Sequence, residues 1–139
     1  MFLIQILISA LNSVSRTLSQ WDKIINQFRS SPFMWNSYIS YRLSNFSSFN
    51  YSSVCSLFER CFSLGSFDEF SLLHLFQRAC DYHKSCGYSE KSIALYQALF
   101  DFNFFCPDNL KTRPHEIKMR IFEEYWSSNV PKFGEEVRF

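Results

Sequence analysis

Apolar residues recur along this chain at alternating spacings of three and four, the period of helices packed along one side. Ile4, Leu7, Leu11, Val14, Leu18, Trp21, Ile25 and Phe28 form one unbroken seam, which predicts an amphipathic helical segment over residues 1–30. Ser31-Pro32 then supplies a cap and a proline at a helix start, where the missing N–H costs nothing. The helix they open carries Trp35, Tyr38, Ile39, Arg42 and Phe46 on one side. A Ser/Asn-rich turn leads to a helix with Val54, Leu57, Phe58, Cys61 and Phe62, ended by Gly65. Ser66 and Glu69 have the spacing of a capping box, so a third helix follows with Leu72, Leu73, Phe76, Ala79, Cys80 and His83.

Gly87 closes that helix by adopting the left-handed conformation, and Ser89 is placed to cap the next one. Glu90 falls in its first turn, where the helix dipole favours an anion. Ile93, Tyr96 and Phe100 share one face, with Leu95, Leu99 and Phe102 beside it. So wide an apolar stripe calls for neighbours on more than one side, as in a stacked repeat. Cys106-Pro107-Asp108-Asn109 stops the chain, and a last helix from about Pro114 to Ser127 presents Ile117, Ile121, Phe122, Tyr125 and Trp126. No strand alternation is present.

Short turns between consecutive helices make antiparallel neighbours. The expected fold is therefore all-α, with antiparallel helical hairpins stacked as an α-solenoid. Residues 31–127 hold the tandem hairpins and a final helix, and residues 128–139 an irregular tail. Trp35, Tyr38, Phe58, Phe76, Leu95, Leu99, Phe122 and Trp126 are the expected packing residues.

Composition agrees with this picture. The 139 residues allow one domain, and 3 Gly and 4 Pro are few for a chain of strands and tight turns. Seventeen Phe make the core bulky. A net charge of +1 argues against a chain dedicated to nucleic-acid backbone binding. Cys55, Cys61, Cys80, Cys86 and Cys106 are odd in number and lack a C-x-x-C pair, so free thiols in a reducing compartment fit better than a disulfide framework.

Phe2–Leu11 is nearly all apolar and admits three readings: a packed helix, a secretory signal or anchor, or a gene-model artefact. The stretch lacks a basic start and a small-x-small cleavage site, and it is too short to span a bilayer. The seam running on from it favours the helix. The sequons at Asn45 and Asn50 would matter only for a secreted chain.

Chemistry is sparse. Cys80-x-x-His83-x-x-Cys86 offers three metal ligands, but on one helix Cys80 and Cys86 point about 120° apart. Structural zinc pairs come from turns, so no metal is expected. No nucleophile is seen beside a base, and the glycines stand too far apart for a phosphate loop. Neither a cofactor nor a catalytic residue is expected. Lys111, Arg113, Lys118 and Arg120, followed by aromatics, are candidate RNA contacts, although Glu116, Glu123 and Glu124 nearly cancel their charge.

Trp35 and Tyr38, three apart with Tyr41 beyond, followed by Phe58-Glu59-Arg60 on the next helix, resemble the half-a-TPR (HAT) repeat of RNA-processing proteins. In that pattern the aromatics wedge hairpins apart and the Glu-Arg step makes local polar contacts. Two further stretches sharpen the resemblance. Gly87–Leu110, with the run Phe102-Asn103-Phe104-Phe105-Cys106-Pro107, and Phe122–Glu136 are similar to the nuclear-RNAi-defective-2 family. Roughly residues 20–136 are covered.

The resemblance implies a non-enzymatic HAT/TPR-like scaffold in the nucleus, linked to small-RNA-directed silencing and RNA surveillance. Its implied partners are proteins of those pathways, among them the RNA helicase that feeds the nuclear exosome; no membrane is involved. Family members are far longer, and their helicase-binding segment has no counterpart here, so a fragment or shortened gene model is expected. An RNA-binding repeat module and a secreted helical protein are the alternative readings.

Overall fold

The structure, a computed structural model, describes residues 17–45, 50–128 and 132. These residues form helices and contain no strand. Helix α1 covers 17–27, α2 Pro32–Ser44, α3 Tyr51–Leu64, α4 Glu69–Ser85, α5 Ser89–Phe104 and α6 His115–Ser127. A short 3-10 turn, Asp108–Leu110, lies between the last two. The all-helical class read from the sequence is the observed one. No helix among the described residues is long and apolar enough to cross a membrane. Phe2–Leu11, the start of the Ile4–Phe28 seam, Phe46 and nearly all of the 128–139 tail lie outside the described residues.

By compactness the chain divides into two units, residues 1–76 and 77–139, with the boundary inside α4. In the first unit the Ser31 hydroxyl accepts from the Met34 N–H at 3.4 Å and caps α2, with Pro32 in its first turn. Trp35, Tyr38 and Ile39 are buried on one face of α2, and Val54, Leu57, Phe58 and Cys61 on one face of α3. Full burial of an Ile, Val, Leu or Phe side chain such as these is worth about 1.5–3 kcal/mol. The two helices pair: Arg42, near the end of α2, donates to Ser53, near the start of α3, as an antiparallel hairpin requires. Helix α1 supplies Ile25, which is fully buried, and Trp21, whose ring stacks on Tyr38 at 5.4 Å. Phe28, the last seam residue and just past α1, is exposed. Gly65 ends α3 where the Phe67 ring approaches so closely that a Cβ would not fit.

The start of α4 differs from expectation. Asp68 caps it, accepting from Ser71 N–H at 3.1 Å through its carboxylate and from Leu72 N–H at 3.0 Å through its carbonyl. The Asp68 carboxylate supplies both the cap bond and a negative charge at the helix N-terminus, and its hydrogen bonds with Ser71 hold the carboxyl below the usual carboxylate range. The buried stripe of α4 is also turned relative to the reading from sequence. Leu75, Ala79, Cys80 and Tyr82 are buried, while Leu72 and Leu73 are exposed and Phe76 is half-buried. With Phe70, Leu72, Leu73, Leu75 and Phe76 in succession, every face of the helix offers an apolar residue, so periodicity alone does not set its rotation. Phe62 of α3, expected inside, is exposed for a similar reason: Phe58 and Cys61 already fill the inner stripe.

In the second unit α4 ends in a Schellman turn. Tyr88 N–H donates to the His83 carbonyl at 2.9 Å and Gly87 N–H to Lys84 at 3.1 Å, with Gly87 at φ +88 as its position demands. The turn leaves no spacer before α5. Tyr88 therefore occupies the N-cap without a side-chain bond, and Ser89, expected as the cap, is already the first helical residue. Two contacts join the helices across the turn: Tyr96 donates its hydroxyl to the Cys80 thiol, and the Lys91 charge acts on His83.

Helix α5 buries less than its sequence suggests. Only Ser92 is buried; Leu95 is half-buried, and Ile93, Tyr96, Leu99 and Phe100 are exposed, Leu99 at 37%. The expectation that Leu99 sits in the core is thus corrected. A helix apolar over so wide an arc presents more surface than the described residues of this chain cover. Phe122 and Trp126 of α6 are half-buried.

Candidate functional site

In the second unit an apolar groove of about 330 Å³ lies between the end of α5 and α6. Asp101, Phe102 and Phe105 come from the last turn of α5 and its C-cap, and Cys106, Pro107 and Leu110 from the connection. Lys118, Ile121, Phe122 and Tyr125 come from α6, where their spacing of three, four and seven puts them on one face. The local sequence explains the shape. Pro107 and Pro114 both hold extended backbone, at ψ 143 and 148, and neither can continue a helix backwards. Between them Leu110 N–H bonds Pro107 O at 2.9 Å and Arg113 N–H bonds Leu110 O at 3.0 Å, so the connection folds tightly and α6 returns beside α5.

Rings build the floor. Phe102 meets Phe122 edge-on at 5.3 Å and His115 at 5.7 Å, and Phe122 in turn stacks on Trp126 at 5.8 Å. Such contacts hold the aromatics in fixed orientations and add to area burial. The sequence had assigned Ile121, Phe122 and Tyr125 to a packed stripe. That they form one wall of an open groove depends on the two proline bends, which periodicity does not reveal.

The four basic residues read as possible RNA contacts do not share one surface. Lys118 lines the groove, and Lys111 pairs with Asp108 at 2.5 Å. Arg113 and Arg120 are exposed, and two residues of helix turn Lys118 and Arg120 about 200° apart.

In the first unit the motif residues make specific polar contacts. Trp35 is fully buried and donates its Nε1–H to the Arg29 carbonyl at 2.9 Å. Arg60, the last residue of the Phe58-Glu59-Arg60 step, meets Asp22 at 2.7 Å. Tyr38 is raised above the usual phenol range, first by burial and then by the Asp22 charge, with Arg42 and Arg60 pulling the other way. Asp22 carries no signal in the sequence beyond being a carboxylate beside Trp21 on the seam helix.

The cysteines are free thiols, and burial pushes Cys61 up to about 12, which leaves it inert as a nucleophile. Cys80 is fully buried and also raised by burial. His83 is lowered, first by burial and then by Lys91. Among the described residues no group of three His, Cys, Asp or Glu is placed to hold a metal ion.

No solved structure matches the chain. A Homo sapiens protein named nuclear exosome regulator NRDE2 is 33% identical over 135 residues, covering 87% of this chain and 12% of its own length. The Schizosaccharomyces pombe protein named NRDE2 homolog is 27% identical, covering 74% of this chain and 13% of its own. A Caenorhabditis elegans protein named nuclear exosome regulator NRDE2 is 27% identical, covering 78% and 10%. The chain thus spans about one eighth of the length of the first of these relatives. Residues 5–138 match the family described as NRDE-2, necessary for RNA interference, and with nearly its whole length inside that match the chain belongs to the NRDE-2 family.

Proposed function

We propose that this chain is a non-enzymatic, HAT/TPR-like helical segment of a nuclear scaffold that regulates RNA surveillance and small-RNA-directed silencing by contacting proteins. The family match over residues 5–138, to relatives named nuclear exosome regulators, carries this reading. Residues 31–127 supply the repeat hairpins, with Trp35, Tyr38, Phe58, Phe76, Leu95, Phe122 and Trp126 setting their spacing. Exosome-associated proteins are the partner class; contact with the RNA helicase belongs to the upstream segment that the resemblance implies for longer family members, not to this segment. Exposed apolar side chains along α5 support protein contact over RNA contact, because RNA binding needs a concentrated positive surface.

A paired pull-down from nuclear extract, with and without ribonuclease, tests the reading. Capture of exosome-associated proteins that survives ribonuclease is expected. Capture that vanishes with ribonuclease would transfer the assignment to direct RNA binding through Lys111, Arg113, Lys118 and Arg120.

A further inference from the structure

The groove between α5 and α6 has a mixed chemistry. Its walls are aromatic and aliphatic, yet Asp101 and Lys118 line the same cavity. Both are half-buried, and neither makes an ion pair among the described residues. Opposite charges that line one cavity without bonding each other are open to charged partners in a ligand. The volume of about 330 Å³ lies at the low end for ligand sites, which span about 300–1,000 Å³, and suits one large side chain better than a cofactor.

Resting on the reading that this segment contacts proteins, we propose that the groove docks a short peptide segment of a partner. One bulky aromatic or aliphatic side chain enters the cavity among Phe102, Phe105, Ile121 and Phe122. A basic residue on one side of that anchor faces Asp101, and an acidic residue on the other faces Lys118. Charge complementarity selects this occupant. A nucleic acid would set its phosphates against Asp101, and a purely apolar ligand would make use of neither wall charge. The pattern follows the usual anatomy of a docking site, a buried anchor that supplies affinity and rim charges that fix its direction.

The test uses four capped tripeptides, Lys-Trp-Glu, Glu-Trp-Lys, Lys-Ala-Glu and Gln-Trp-Gln, titrated against the isotope-labelled 139-residue chain by NMR. One of the two charged tryptophan peptides is expected to shift the amides around Phe102, Lys118 and Phe122. The alanine peptide should bind about ten-fold more weakly. Asp101→Asn and Lys118→Gln should each weaken the favoured peptide about three-fold and leave Gln-Trp-Gln unchanged.

Equal binding of charged and neutral tryptophan peptides, equal binding of the alanine peptide, or shifts scattered away from the groove would overturn the proposal. The comparison among the four peptides on the unaltered chain decides the matter even if a variant loses its helical circular dichroism. A chain that ignores all four peptides yet captures nuclear proteins after ribonuclease keeps the scaffold reading and loses the groove. Peptide binding without such capture does the reverse.

Discussion

The Arg60 guanidinium meets the Asp22 carboxylate at 2.7 Å although 38 residues of sequence separate them. The pair ties α1 to α3 across the stack of Trp21 on Tyr38. Both side chains remain partly in water, at 33% and 47% exposure, so solvent screens most of their attraction. Asp22→Asn is expected to cost about 0.2–1 kcal/mol in urea unfolding, as exposed pairs do. The reversed pair, Asp22→Arg with Arg60→Asp, should recover part of the loss. A cost of several kcal/mol would mean that the pair is buried in solution.

Trp35 and Leu99 were read alike from the sequence, and the structure separates them. Trp35 is fully buried and hydrogen-bonded through its indole, whereas Leu99 is 37% exposed. Trp35→Ala is expected to destabilise the chain by about 3–5 kcal/mol, while Leu99→Ala should cost under about 1 kcal/mol. Equilibrium unfolding of the two variants side by side checks this. A Leu99 loss as large as that of Trp35 would show that α5 is covered in solution, for example by self-association.

Gly87 makes the turn between α4 and α5 possible at φ +88. Nothing lies within 4 Å of an added Cβ, so the cost of Gly87→Ala is purely conformational. It is expected to be about 1–2 kcal/mol, the penalty of the left-handed region for an L-residue. Gly87→Asn should cost less, because Asn tolerates that region better. Equal losses for the two substitutions would point to a steric cause instead.

The pH dependence of stability has a part assignable to His83. Burial and then Lys91 lower its folded pKa below the ordinary 6.5. Just below pH 6.5 the unfolded imidazole takes up a proton that the folded one refuses, so stability is complete above that pH and falls as the pH drops. His83→Gln should flatten the melting temperature between about pH 7 and pH 5. Asp68, lowered from 3.8, acts only at more acidic pH, so the two contributions separate. An unchanged slope in the variant would remove His83 as its source.

Local signals carried the helix boundaries. Ser31-Pro32 and Gly87 each impose a backbone state that few other residues accept, and each stands where it was expected. The caps at Asp68 and Tyr88 were misplaced because neighbouring residues could serve as well. The groove was invisible for a different reason. Its lining comes from α5, the connection and α6, and the two proline bends that bring these together set a direction, which spacing along a helix cannot encode.

The all-helical class, the turn at Gly87, the burial of Trp35, Tyr38 and Phe58, and the family were each legible in the chain. All four rest on local backbone chemistry or on motif order. Tertiary structure alone decided which way α4 is rotated, that α5 leaves Ile93, Leu99 and Phe100 exposed, and that Asp22 finds Arg60. The physical reason is the abundance of large apolar residues. When every face of a helix can be buried, periodicity no longer names one, and the choice passes to whichever neighbours the chain brings against it.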